Sequence, residues 1–250
     1  QNINMYSYQN KQESTTFEPH ANKAFAKSLR LNFVRKVFSI TAVQLLITSF
    51  ITYQSVTSPA FAKFQLRHQG LLFLSALVTI GTMLALTWSE TLSRKVPTNY
   101  ILLGVFTLGE SYLVSFAASL YDREVVVMAL FLTAAVVSAL TVYALTTKTE
   151  ITYFGGLIVL IGLGSLVCML FSWIFRIQFL NSLIYGGSTI ATGLYFIYDV
   201  KYIMGKDSIK MSLDDYIKGA MHLYIDIIRI FLKILEILGE KQDKKDEKKK

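Results

Sequence analysis

The sequence predicts an all-α protein that crosses a membrane several times, and two observations carry this prediction. First, the 250-residue chain is 53% hydrophobic and only 17% charged, whereas an average soluble domain is about a quarter charged. Second, the apolar residues are concentrated in long runs without any charged residue, and each run exceeds the ~20 residues with which a helix crosses ~30 Å of hydrocarbon. These uncharged runs are residues 37–62, 69–89, 125–147, 151–175 and 177–198.

Helices rather than barrel strands follow from the length and uniformity of these runs. Strands of a membrane barrel alternate apolar and polar residues over about ten positions, and these runs do not alternate. A sixth run, residues 96–121, is interrupted only by Glu110. A soluble protein could bury one such helix in its core, but not six that are separated by short loops. The sequence therefore predicts a multi-pass helical membrane protein in contact with the lipid bilayer.

A seventh segment, residues 215–239, is amphipathic rather than uniformly apolar. Its polar residues recur every three or four positions and so fall in one stripe along a helix, with isoleucine and leucine opposite. Such a helix could lie in the headgroup plane, or it could span inside the bundle with its stripe facing a central pathway. Gly239 predicts the end of this helix. The stripe consists of Lys218, His222, Asp226, Arg229, Lys233 and Glu236.

The two ends of the chain are polar and rich in basic residues. Residues 1–36 form a polar and basic N-terminal segment that is typical of an anchor on anionic headgroups. Residues 37–239 form the transmembrane domain, and residues 240–250 form a lysine-rich tail that we expect to be disordered. The formal net charge is +8. We interpret it as a means of binding the membrane surface and protein partners, and we expect those partners to contact the N-terminal segment and the tail. We predict no nucleic-acid partner.

Residues that carry catalysis or bind metal ions are sparse. His20, His68 and His222 are scattered along the chain, and the single cysteine, Cys168, lies inside an apolar run. No nucleophile with a neighbouring base, no metal-ligand cluster and no phosphate-binding loop can be assembled from the sequence. We therefore predict that the protein is not an enzyme, and we assign it no cofactor and no firm metal site.

Several stretches resemble the Bax inhibitor-1 family, which is also called the transmembrane Bax inhibitor motif or lifeguard family. The most specific stretches are "YFIYDVKYIMG" at residues 195–205 and "HLYIDIIRIF" at residues 222–231, and each contains one aspartate. The resemblance extends over residues 31–239 and implies six helices around a central seventh helix with a polar stripe. For some members it also implies a pH-sensitive calcium leak gated by two aspartates, which match Asp199 and Asp226.

The chemistry of such a pair is consistent with this implication. Two carboxylates that meet in a low dielectric can share one proton, and calcium prefers carboxylate oxygens as ligands. Calcium would then be the transported ion rather than a resident cofactor. The alternative is that both aspartates are structural, with Asp199 at a helix end near water and Asp226 paired within its own helix.

Three charged residues depart from the pattern of the family. Arg229 stands where the family usually has asparagine one turn after the second aspartate, Glu236 stands where an arginine is common, and Lys233 replaces an uncharged residue. We expect Arg229 to neutralise Asp226 and Lys233 to neutralise Glu236, which would plug the pathway. The alternative function is therefore a non-conducting accessory subunit of a large membrane complex, for example a respiratory assembly of the mitochondrial inner membrane.

Two further charged residues are candidates for the functional site. Glu110 is an intramembrane carboxyl that would be costly without a partner, and Arg94 is a candidate latch because it could match an arginine that contacts the first aspartate in some members.

The absence of an initial methionine fits a cleaved presequence, and a basic N-terminal segment fits the matrix face. We therefore favour the mitochondrial inner membrane over the endoplasmic reticulum.

Overall fold

The computed structural model describes residues 2–148, 155, 157–158, 160–161, 178–205 and 210–247, with side chains described from residue 24 to residue 239 except for 178–186. The elements in this part of the chain are helices, and no strand occurs among the described residues. They are α1 (Asn2–Thr57), α2 (Pro59–Arg67), α3 (Gln69–Trp88), α4 (Glu90–Arg94), α5 (Thr98–Ala118), α6 (Arg123–Thr146), α7 (Gln178–Met204) and α8 (Tyr216–Glu247).

The first uncharged run is divided between α1 and α2. α1 passes through residue 36 without a break and ends at Thr57. Pro59 then occupies the start of α2, where its missing N–H has no cost, and the side chain of Ser58 accepts a hydrogen bond from the backbone N–H of Phe61. The residues that terminate α1 therefore also start α2.

The other predicted runs agree closely with the observed helices. Runs 69–89, 96–121, 125–147 and 177–198 contain most of α3, α5, α6 and α7. Among the described residues, four helices are long and apolar enough to cross a membrane, namely the Ala24–Thr57 part of α1, α3, α5 and α6. The run 151–175, with Cys168, lies largely outside the described residues. The prediction of an all-α, multi-pass membrane protein is confirmed.

Helix α8 is the central helix of the described bundle. It packs against α1, α5, α6 and α7, with smaller contacts to α3 and α4. Ile217, Tyr224 and Phe231 lie in a buried cluster with residues of α3, α5 and α6. Leu223 and Ile230, on another face, lie in a second cluster with residues of α1 and α7. Separate faces of α8 are thus buried against different helices. This confirms the prediction that the polar-striped helix is central in the bundle, and it does not support the alternative of a helix lying in the headgroup plane.

The predicted end of this helix at Gly239 is wrong. α8 continues through Gly239 to Glu247, so most of the tail that we expected to be disordered is helical. The glycine has a packing role instead, because a Cβ atom at this position would overlap the ring of Tyr121. A glycine in a membrane helix often marks such a close approach rather than a helix end.

Candidate functional site

The two aspartates of the family motif lie on the two last described helices. Asp199 lies on α7, five residues before that helix ends at Met204, and Asp226 lies in the middle of the buried part of α8. His222 precedes Asp226 by one helical turn and therefore projects from the same side of α8. The sequence prediction that the two aspartates share a site depends on α7 packing against α8, and the two helices are in contact.

The structure brings these three side chains together in what we call the carboxyl cluster: Asp199, His222 and Asp226. The carboxyl groups of Asp199 and Asp226 lie close enough to each other to interact electrostatically. His222 Nδ1 lies 3.6 Å from Asp199 Oδ2. Both carboxyl groups are buried, with 8% of Asp199 and 3% of Asp226 exposed. Two carboxyl groups thus meet in the interior of the bundle, and the side chain of His222, which is 41% exposed, borders them.

One atom of this cluster lacks a partner. Oδ2 of Asp226 is buried and accepts no hydrogen bond from any described residue. A buried carboxylate oxygen without a donor is costly unless the group is neutral or a cation is nearby. The cluster therefore has unused capacity to hold a proton or a cation.

Arg229 does not form the expected ion pair with Asp226. The side chain of Arg229 is exposed. It acts on Asp226 and on Glu110 of α5 only through longer-range electrostatic interaction. The i, i+3 spacing permits a pair, but Asp226 is buried whereas Arg229 is exposed. Glu110 is half-buried, and the positive charge of Arg229 acts on it across the α5–α8 contact.

Lys233 and Glu236 behave as expected from their spacing. Lys233 Nζ donates to Glu236 Oε2 at 3.0 Å, and the pair is partly exposed, one turn beyond Arg229 on α8. An i, i+3 pair of this kind neutralises both charges locally. It leaves the carboxyl cluster untouched, since it lies about two turns away.

Arg94 contacts a different aspartate from the one we expected. It lies at the end of α4 and donates two hydrogen bonds to Asp215, from Nε at 2.9 Å and from Nη2 at 3.2 Å. Asp215 directly precedes α8, whereas Asp199 lies within α7. The hydrogen bonds to Asp215 raise the pKa of the Arg94 guanidinium above its ordinary value, which keeps the latch charged. Arg94 therefore anchors the start of the central helix and not the carboxyl cluster.

Tyr216, the first residue of α8, is held by the same group of elements. Asn99 Nδ2 of α5 donates to the Tyr216 hydroxyl at 3.2 Å, and Lys36 Nζ of α1 lies 3.3 Å from the centre of the tyrosine ring. Sequence reasoning missed this anchor, because its members come from four separate elements and form no local motif. Only the charge of Arg94 was visible as a signal.

A second buried polar region lies between α1 and α5, on another side of α8. Gln44 donates to Thr107 at 2.9 Å, Thr48 is hydrogen-bonded to both Ser111 and Tyr224 at 2.8 Å, and Gln65 of α2 donates to Ser115 at 2.9 Å. We call this the polar seam: Gln44, Thr48, Gln65, Thr107, Ser111, Ser115 and Tyr224. Sequence reasoning missed it, although polar residues four apart in both α1 and α5 were a usable signal.

Comparison with known proteins agrees with this arrangement. The family model described as "Inhibitor of apoptosis-promoting Bax1" matches residues 30–243. The chain belongs to this family. It is 30% identical over 223 residues to Protein lifeguard 3 of Homo sapiens, with 86% of this chain and 70% of that protein covered.

Other relatives show that the similarity extends across distant organisms. The chain is 33% identical to Protein lifeguard 4 of Mus musculus, with 84% of this chain and 85% of that protein covered. It is also 28% identical to Bax inhibitor 1 of Schizosaccharomyces pombe, with 87% and 80% covered. The matches include α1 to α8 and therefore both aspartates of the carboxyl cluster.

Proposed function

We propose that the protein is a pH-sensitive cation leak in which the carboxyl cluster is the proton-sensitive element and calcium is the transported ion. The observation that carries this proposal is the contact of two buried carboxyl groups at the centre of the bundle, one of them with an unpartnered oxygen. An ionisable pair inside a membrane protein is a functional candidate by default. Family membership supports the same conclusion.

The cluster links pH to the contact between α7 and α8. With one proton shared between Asp199 and Asp226, the two carboxyl groups attract each other and hold α7 on α8. His222 of α8 lies beside the same contact, with its Nδ1 atom 3.6 Å from Asp199 Oδ2. When the pH rises and the protons leave, two negative charges remain in a low dielectric, so they repel each other and favour either separation or a divalent cation. Leak should therefore increase as pH rises.

Calcium flux into proteoliposomes across a pH series tests the proposal. The double variant Asp199→Asn, Asp226→Asn keeps the shape of the cluster and removes its charge, so its flux should be low and independent of pH. Asp214→Asn is the matched control, because Asp214 is an exposed aspartate just before α8, and its flux should follow that of the unmodified protein. Equal, pH-dependent flux in the unmodified protein and the double variant would contradict the proposal.

A second candidate function is that of a non-conducting accessory subunit of a larger membrane complex. The Lys233–Glu236 pair favours it, since charges that neutralise each other on the central helix leave fewer groups to attract an ion. Native electrophoresis in mild detergent should then show the protein far above its 28.2 kDa, and fractionation should place it in the mitochondrial inner membrane. Migration as a monomer or a small homo-oligomer, or recovery in the endoplasmic reticulum, would count against this function.

A further inference from the structure

A cavity lies at the N-terminal end of the first membrane helix, away from the carboxyl cluster. Its volume is about 670 Å³, which falls within the ~300–1,000 Å³ of typical ligand pockets. One wall comes from residues 26–34 of α1, and the other comes from residues 204–205 at the end of α7 and residues 210–213 before α8. Both walls belong to described residues, and neither contributes to the functional site above.

Arg30 joins the two walls. Its guanidinium donates hydrogen bonds to the backbone carbonyls of Tyr202, at 2.8 Å, and of Met211. Gly205 lies directly beneath it in the left-handed conformation, with φ of 62°, and a Cβ at that position would collide with the guanidinium. The cavity is thus a built feature of the fold, with a fixed positive charge in its wall.

The charged side chains among the described lining residues of the cavity are all basic. Lys27 and Lys210 line it, and both are exposed and form no ion pair with any described residue. No acidic side chain lies among its described lining residues. The remaining lining is largely apolar, from Leu31, Val34, Met204, Met211 and Leu213. A cavity with a basic rim and apolar walls matches a ligand that is anionic at one end and apolar at the other.

The depth of the cavity agrees with a lipid. Arg30 precedes the uncharged run that starts at Val37 by seven residues, or about 10 Å along the helix. The headgroup region on each side of the hydrocarbon is ~5–8 Å thick, so Val34, about 5 Å from the start of the run, lies within it. The backbones of Arg30 and Lys27 lie beyond it, and the long side chain of Lys27 reaches back toward the phosphates. A bilayer presents anionic amphiphiles at this depth.

We propose that this cavity binds an anionic glycerophospholipid, with Lys27 and Lys210 on the phosphate and the apolar wall against the upper acyl chain. Lysine is a suitable ligand for phosphate because its ammonium is a compact charge with three donors. Each basic side chain near an anionic surface adds roughly fivefold to binding. Removing both lysines should therefore weaken binding by about 25-fold.

Thermal unfolding of the full-length protein in neutral detergent provides the test. The probes are dioctanoyl phosphatidylserine, dioctanoyl phosphatidylcholine and free O-phosphoserine. We expect the melting temperature to rise with phosphatidylserine at far lower concentration than with phosphatidylcholine, because a ligand that binds the folded state stabilises it by mass action. Free phosphoserine should have little effect, because it lacks the acyl chains.

Two variants and one control make the test specific. Lys27→Gln with Lys210→Gln should lose the effect of phosphatidylserine, and so should Ala26→Trp, which fills the cavity without changing any charge. The control, Lys63→Gln with Lys95→Gln, removes the same amount of charge elsewhere and should keep the effect of phosphatidylserine. Equal response to phosphatidylcholine, equal response to phosphoserine, or an unchanged response in folded variants of the cavity would each overturn the proposal.

Discussion

The polar seam and the carboxyl cluster lie on different sides of α8, and they differ in chemistry. The seam consists of neutral hydroxyl and amide groups, and most of its members find hydrogen-bond partners on another helix. The cluster consists of ionisable groups, and one oxygen of Asp226 has no partner. The members of the seam and both aspartates of the cluster are almost completely excluded from solvent, and His222 alone among these residues is partly exposed, so burial does not distinguish the seam from the two carboxyl groups. The two regions differ instead in whether their groups can change charge.

This difference assigns different roles to the two regions. Neutral hydrogen bonds between membrane helices contribute modestly, ~0.6 kcal/mol on average and at most ~1.7 kcal/mol, and they do not depend on pH near neutrality. A buried carboxyl pair contributes little to stability, because desolvation offsets attraction, but its charge responds to protons. We therefore propose that the seam holds α1, α5 and α8 together, whereas the cluster responds to pH.

The largest effect should come from a single neutral substitution in the carboxyl cluster. Asp226→Asn keeps the size of the side chain and can carry no negative charge, so the pH dependence of calcium flux should disappear. The free energy of unfolding should stay the same or rise slightly, because a buried ionisable group has been replaced by a neutral one. Flux in proteoliposomes and unfolding in mixed detergent micelles measure the two quantities. A large loss of stability would show that the cluster is part of the scaffold.

The reverse pattern is expected for the polar seam. Thr48→Val has nearly the same shape but leaves the hydroxyls of Ser111 and Tyr224 without their shared partner, so the free energy of unfolding should fall by about 1–2 kcal/mol. The pH dependence of flux should remain. Tyr224→Phe combined with Thr48→Val gives the coupling between the two hydroxyls. If Thr48→Val abolishes the pH dependence while the protein stays folded, the two regions are not separate.

Arg229→Asn should have a smaller effect, because the arginine is exposed and forms no direct ion pair with Asp226. The expected change in the free energy of unfolding is at most ~1 kcal/mol, as for an exposed charge pair. Calcium flux at each pH should change by less than it does in Asp226→Asn. A large gain of leak in this variant would instead support the hypothesis that Arg229 plugs the pathway.

The smallest effect on flux is expected from Arg94→Gln. The arginine holds Asp215 at the start of α8 and is exposed, so its loss should lower the melting temperature slightly and only at low salt, where charges are not screened. The pH dependence of flux should be the same as in the unmodified protein. Loss of that dependence would mean that the anchor at the start of α8 also controls the carboxyl cluster.

The fold could be predicted from the sequence because membrane helices depend on local composition. Runs without charge must be helical to satisfy their backbone groups in lipid, and α3, α5 and α6 match their runs within a few residues. Asp199 and Asp226 could be identified because each lies in a distinctive motif. Their contact required the packing of α7 on α8, which the resemblance implied and the residues alone did not.

The errors in prediction came from contacts between residues far apart in the chain. Arg94 and Asp215 are 121 residues apart, and no local pattern shows that they meet. Gly239 resembles a helix end because glycine often follows one, but the ring of Tyr121 beside it is a tertiary feature. Arg229 follows Asp226 at a spacing that permits a pair, and only the packed bundle shows that the aspartate is buried while the arginine is exposed.

The hydrogen bonds of Arg30 have a consequence for how the chain is assembled during synthesis. Their acceptors lie 172 and 181 residues further along the sequence, whereas the α1–α5 bonds of the polar seam join residues only 63 apart. Because translation proceeds from the N-terminus, α1 and α5 can associate early, while Arg30 waits for its partners until α7 and the segment before α8 have emerged. The closing of the cavity around Arg30 is therefore a late step in biogenesis, and a nascent chain that stops before Tyr202 leaves this arginine without either acceptor.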